Sequence, residues 1–182
     1  MWAPREVDYF MGRKLKDGDF GPSGLRYFTK ADLGADWKML DADVVHRADK
    51  LAQSVGVPVK VTSGYRSPAH NKSIGGAPDS MHVQGRALDL WFTDGAFFSN
   101  AARYVSQARA LGLTGIGLYQ GKPLLHVDNR EKPGSWAKLA SGKMVSLAEG
   151  LGRAAKTGAP FALIALLLVL LFLAVKGSKG PG

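Results

Sequence analysis

The sequence predicts a small α+β domain in which a mostly antiparallel sheet carries a metal site and is packed by helices, with a transmembrane helix after it. Two observations predict this. Helical and strand-like periods follow one another as helix, strand, irregular stretch and strand, helix, then two short strands joined by QGKP. Beyond them, APFALIALLLVLLFLAV from Ala159 to Val175 carries no charged residue, at the lower edge of what spans a bilayer as a helix.

Residues 1–27 mix charge and aromatics, with no apolar segment of the kind a secretory signal carries, and are read as an N-terminal extension. A helix is expected next, with Thr29 as cap, Leu40, Val44, Ala48, Leu51 and Val55 spaced by three and four, and Gly56 as its stop. VPVKVTS at 57–63 reads as a strand. In HVQGRALDLWF, Ala87, Asp89 and Trp91 alternate with Leu88, Leu90 and Phe92 in the manner of a second strand. Residues 97–111 read as a helix with Ala101, Val105 and Ala108 on one face. GIGLY and LLHVD form a hairpin. The domain is expected over 28–136, followed by a Gly-spaced linker at 137–158, the membrane helix at 159–175 and a flexible tail at 176–182.

Composition narrows the chemistry. With no cysteine among 182 residues, the chain has no disulfide framework, no thiol nucleophile and no cysteine-ligated zinc. Any metal must be held by histidine and carboxylate. The formal charge of +9 suits a polyanionic partner: nucleic acid, an anionic membrane surface or an acidic cell-wall polymer. Nucleic acid is not expected, because the basic residues are scattered and form no stripe with interleaved aromatics.

Three residues then stand out. His82 precedes Asp89 by seven positions, which lets it reach, from the preceding turn, a carboxylate fixed on a strand. In LLHVD, period-two alternation puts His126 and Asp128 on one face. Two histidines and a carboxylate on neighbouring strands suit a catalytic zinc site, which keeps a position open for water. The same residues also suit hydrogen-bonded structural roles, and spacing alone does not choose. His46 is expected on a solvated helix face, and His70 in the loop SPAHN.

The stretch VTSGYRSPAHNKSIGGAPDSMHVQGRALDL, followed by GIGLYQGKPLLHVDNR and a later Trp136, resembles the M15 family of zinc murein peptidases, the D-alanyl-D-alanine carboxypeptidase and phage endolysin group, and in particular its small subfamily with a terminal His-x-Asp strand. The resemblance implies one Zn2+ held by His82, Asp89 and His126. It also implies that Arg66, and with it Ser80, contacts the carboxylate or carbonyl groups of a peptidoglycan substrate, as the planar donor fork of arginine suits. Many members carry an acidic general base three residues before the last histidine, and here that position is Pro123. Asp128 is the expected substitute, since it shares a face with His126; the alternative is that it orients a ligand. Tyr119 and Glu131 are outside candidates.

The expected function is therefore a membrane-anchored, zinc-dependent peptidase cutting stem peptides or cross-links of peptidoglycan. The alternative is an inactive wall-binding module on the same scaffold. A C-terminal anchor without a signal peptide suggests a phage-derived enzyme of wall penetration or lysis. Its expected place is a virion membrane or the host inner membrane, with the lipid bilayer as second partner through 159–175.

Overall fold

The protein is seen as a computed structural model in which residues 12–157 are described. The elements are helices α1 (Lys30–Leu33), α2 (Ala42–Val55), α3 (Pro68–Ser73), α4 (Phe97–Ala110) and α5 (Leu147–Thr157), and strands β1 (Val59–Ser63), β2 (Ala87–Phe92), β3 (Gly115–Tyr119), β4 (Leu124–Asp128), β5 (Gly134–Lys138) and β6 (Met144–Val145). The strands form a six-stranded sheet in the order β1-β2-β4-β3-β5-β6. Every neighbouring pair is antiparallel except β3 and β5.

Alternation divides the sheet into two faces. Leu88, Leu90 and Phe92 of β2, Ile116 and Leu118 of β3, and Leu125 and Val127 of β4 are fully buried in the core cluster. That cluster also holds Val44, Ala48 and Leu51 of α2 and Ala101, Tyr104 and Val105 of α4. Phe92 stacks on Tyr104 with ring centroids 4.5 Å apart, and the Tyr104 hydroxyl donates to Asp94 at 2.9 Å. The opposite face, bearing Asp89, His126 and Asp128, is left free for polar chemistry.

The helix expected from Thr29 is two helices. Thr29 does cap a helix, with the Asp32 carboxylate accepting from the Thr29 amide at 2.8 Å, but α1 ends at Leu33, capped by Gly34. The chain restarts at Asp41, whose Oδ1 accepts from the Asp43 and Val44 amides at 3.0 and 3.4 Å. Two capping signals lie close together, and only the second precedes a sustained apolar stripe.

Two expected boundaries also move. The described part of the supposed extension, residues 12–27, packs into the domain: Leu15 and Leu25 are buried, and the Asp49 carboxylate accepts the amides of Arg26, Tyr27 and Phe28 at 3.2, 2.8 and 2.8 Å. This segment covers the α2 face expected to be solvated, so His46 is buried and stands 3.7 Å from Asp19. At the other end, residues read as linker complete β5 and supply β6 and α5, which buries Leu147 and Ala154. Gly150 there marks close packing, since a Cβ on it would lie 2.2 Å from the Ala137 Cβ.

The expected fold class is corrected in its membrane part. No helix among the described residues is long and apolar enough to cross a membrane. The longest, α2 and α4, have 14 residues each, about 21 Å at 1.5 Å per residue against a hydrocarbon core of about 30 Å. The span expected at 159–175 lies outside the described residues. The single-pass anchor, the membrane localisation and the bilayer as partner are not supported.

Asp49→Ala leaves buried amides of residues 26–28 without an acceptor, and is expected to lower the unfolding free energy by about 3 kcal/mol, measured by urea titration. An unchanged midpoint would show that residues 12–28 are not held through this carboxylate.

Candidate metal centre

The site begins with strand register. Antiparallel pairing puts Asp89 of β2 directly opposite His126 of β4, so both side chains leave the same face of adjacent strands. On the other flank of β4, Gly117 of β3 faces His126 and Gly115 faces Asp128. Both glycines are required by close approach. A Cβ on Gly117 would lie 2.7 Å from the Trp136 indole, and one on Gly115 would lie 2.0 Å from an Asp128 carboxylate oxygen. Glycine in GIGLY thus makes room for the side chains of β4 and β5.

His82 arrives from the turn before β2. Its carbonyl accepts the Arg66 amide at 3.1 Å, and the Val83 and Arg86 amides close the turn onto Ser80 and Met81. Lys14 donates to the Gln84 and Met39 carbonyls at 3.0 and 2.7 Å, and Asp41 N–H reaches the Gly85 carbonyl at 2.8 Å. The imidazole is held from several sides and is 1% exposed.

Three donor atoms converge. His82 Nε2 lies 3.3 Å from Asp89 Oδ1 and 3.1 Å from His126 Nδ1, which is itself 2.9 Å from Asp89 Oδ1. Ligands at about 2.0–2.1 Å from zinc in a tetrahedron stand about 3.3 Å apart, so this triangle has the right size.

Hydrogen bonding behind the rings fixes what they offer. His82 Nδ1 faces the Gly64 carbonyl at 2.7 Å; a carbonyl only accepts, so Nδ1 carries the proton and Nε2 presents a lone pair. His126 Nε2 faces Asp128 Oδ2 at 3.0 Å, so the neutral ring presents its Nδ1 lone pair in the same way. Two lone pairs and a carboxylate oxygen at such distances repel one another unless a cation lies among them. Burial alone would lower the His126 pKa, yet the Asp128 and Asp89 carboxylates outweigh it and raise it. Burial would raise that of Asp89, but where the two rings carry protons on its side, their hydrogen bonds hold it well below the usual carboxylate range, so a proton takes the place that a metal would fill. The donor set therefore fits a divalent metal, and His82, Asp89 and His126 are the residues that could hold one.

The remaining expected residues are placed as follows. Arg66 lies between loop and metal donors: Nη2 reaches Asp89 Oδ2 at 3.3 Å and Nη1 reaches Asn71 Oδ1 at 3.4 Å, while Nε is buried without a hydrogen-bond partner. Ser80 accepts from the His82 amide at 3.4 Å. Arg66, Ser80, His82, Tyr119 and His126 line one cleft of about 420 Å³. His70 is exposed on α3 and lines a neighbouring hollow; Glu131 is exposed and does not line the cleft.

Asp128, expected either as general base or as the residue orienting a ligand, sits behind the His126 ring. It is fully buried and meets His126 at Nε2, the nitrogen away from the donor triangle. Its oxygens are held by the Arg130 amide at 3.0 Å and by Arg130 Nε and Nη2 at 2.9 and 2.5 Å. Sharing a face brought it to His126 but on the wrong side of the ring for a proton from water in the cleft. Sequence reasoning missed Arg130, which lies two residues beyond Asp128. It also missed Asp79, the one acidic side chain among the described residues lining the cleft; its position three residues before His82 was the available signal.

Asp128→Asn is expected to weaken zinc binding by about 10–100-fold, read by chelator competition. Unchanged affinity with lost turnover would return Asp128 to the base role. Because a proton on His126 competes with metal and its pKa is raised, affinity should be full above that raised pKa and fall as pH drops through it. A pH series of the same competition tests this.

The Peptidase M15 family model matches residues 20–128. No curated protein matches the chain. With more than half of the 182 residues covered by that match, and a His-Asp-His donor set inside it, the chain belongs to the peptidase M15 family.

Proposed function

We propose that the protein is a zinc-dependent peptidase that hydrolyses peptide bonds in the stem peptides or cross-links of bacterial peptidoglycan. The observation that carries this is the convergence of two imidazole lone pairs and a carboxylate beside a cleft whose charged lining is mainly cationic, with Arg66, Arg130 and Lys138. M15 peptidases are zinc enzymes. Bound zinc would polarise a carbonyl and make water a nucleophile near neutral pH.

The chain's own residues do the rest. His82 Nε2, Asp89 Oδ1 and His126 Nδ1 hold the metal, and Asp128, clamped by Arg130, keeps the His126 ring in one orientation. Arg66, which lines the cleft, binds a substrate carboxylate by its planar fork. Ser80 stands at the cleft edge to meet a substrate carbonyl. Stem peptides are rich in carboxylates, and a role in wall penetration or lysis follows from that substrate.

One observation favours a second reading, an inactive wall-binding module. Pro123 occupies the family's usual base position and Asp128 is locked behind His126. A digest separates the two. The full chain is incubated with purified peptidoglycan, with chelator, and with zinc restored, and released fragments are weighed by mass spectrometry. The peptidase produces new peptide ends that vanish with chelator and return with zinc, and their masses name the bond. Zinc-loaded protein that binds wall without new ends is the inactive module.

Arg66→Lys keeps the charge but loses the fork. It is expected to raise KM about tenfold or more with zinc content unchanged; an unaltered KM would remove Arg66 from substrate binding.

A further inference from the structure

With no carboxylate at the usual base position and Asp128 turned away, the groups that can meet the reacting carbonyl are worth finding directly. Tyr119 closes β3 two residues beyond Gly117, the residue opposite His126. It therefore emerges on the metal face, about 7 Å further along the strand. Its neighbours in register are Leu124 on β4 and Lys138 on β5. It lines the same cleft as Arg66, His82 and His126.

The Trp136 indole lies over Gly117, two residues before Tyr119 on the same face, and a phenol O–H can donate to a substrate oxygen. The charges acting on the phenol are those of Asp89 and Arg66, both at the metal site. Burial, and then the Asp89 charge, raises its pKa, which keeps the O–H in place as a neutral donor.

We propose that Tyr119 is the oxyanion donor of this site, giving a hydrogen bond to the scissile carbonyl oxygen as water adds to the carbonyl carbon. The new C–O bond to water forms as the carbonyl π electrons move onto that oxygen, and the phenol proton stays on Tyr119 throughout. Arg66 approaches from the loop after β1 and is already drawn toward Asp89. Tyr119 comes from the β3 side with its proton uncommitted to a carboxylate. A fixed donor of this kind stabilises charge that exists only in the transition state. The inference rests on the peptidase reading above, and assigns an oxyanion role that neither the metal ligands nor Asp128 fills.

The test is Tyr119→Phe in the full zinc-loaded chain, which removes the hydroxyl and keeps the ring. Turnover, KM, zinc content and calorimetric affinity for a phosphinate analogue of the cleaved dipeptide are measured beside wild type. Expected are a fall in kcat of about 100-fold, KM within about twofold, unchanged zinc, and phosphinate affinity falling far more than affinity for the cleavage product. A kcat and phosphinate affinity both close to wild type would overturn the proposal. So would equal losses for phosphinate and product, which mark general damage to the cleft, or loss of zinc, which places the hydroxyl in metal retention. An active wild type with an unaffected variant defeats this inference alone, whereas an inactive wild type defeats the peptidase reading and this inference together.

Discussion

The register of β2 against β4 is the constraint on which the site depends. Asp89 opposite His126 is one rung of a ladder that also pairs Leu88 with Val127 and Leu90 with Leu125. Those leucines and the valine are fully buried in the core. A slip by one residue would turn the apolar side chains outward and the ligand candidates inward. Burial of the helix-facing side therefore fixes the polar side without any contribution from a metal. The enzyme's working geometry is a by-product of packing on the opposite face.

On the polar face the energetics are reversed. Buried carboxylates and imidazoles cost free energy unless each finds partners, and the site supplies them from behind: Arg130 to Asp128, Asp128 to His126, the Gly64 carbonyl to His82, and Arg66 to Asp89. Each link holds one atom in one protonation state. The outcome is a cluster whose inner atoms are all electron-rich, so a cation is the natural last partner. Trp136 adds a wall, its ring 5.1 Å from His126 and under the Arg130 guanidinium.

A second polar network steadies the turn that carries His82. Asn129, just past β4, donates to Asp41 and Asp43 at the start of α2, and Arg86 returns to Asn129 through its side chain and carbonyl. Arg47 pairs with Asp43 and donates to the Leu111 carbonyl. The N-terminal segment joins this network through Lys14. Residues remote in sequence thus limit the freedom of one loop, which suits a site whose ligands must be preorganised.

The sequence by itself determined the strands around Asp89 and His126 and the apolar faces of α2 and α4, because period-two and helical spacing are local properties; spacing left His82, Asp89 and His126 between metal and structural roles, and the family resemblance implied the ligand set. Ordering the motifs also pointed to the family. Tertiary structure alone decided the rest. Asp128 and His126 share a face by alternation, but which ring nitrogen meets Asp128 depends on the side-chain rotamers and on Arg130, so base and positioning roles look identical in sequence. Residues 12–27 show no sustained period, and the helical period of 147–157 is carried by small residues and interrupted by Gly150 and Gly152; both segments belong to the domain because other elements offer them amide acceptors and close-packed surfaces. The two glycines of GIGLY find their reason only where Trp136 and Asp128 lie across β3. Local periods are written in neighbouring residues, whereas the direction of a proton and the covering of a helix face are set by partners far along the chain.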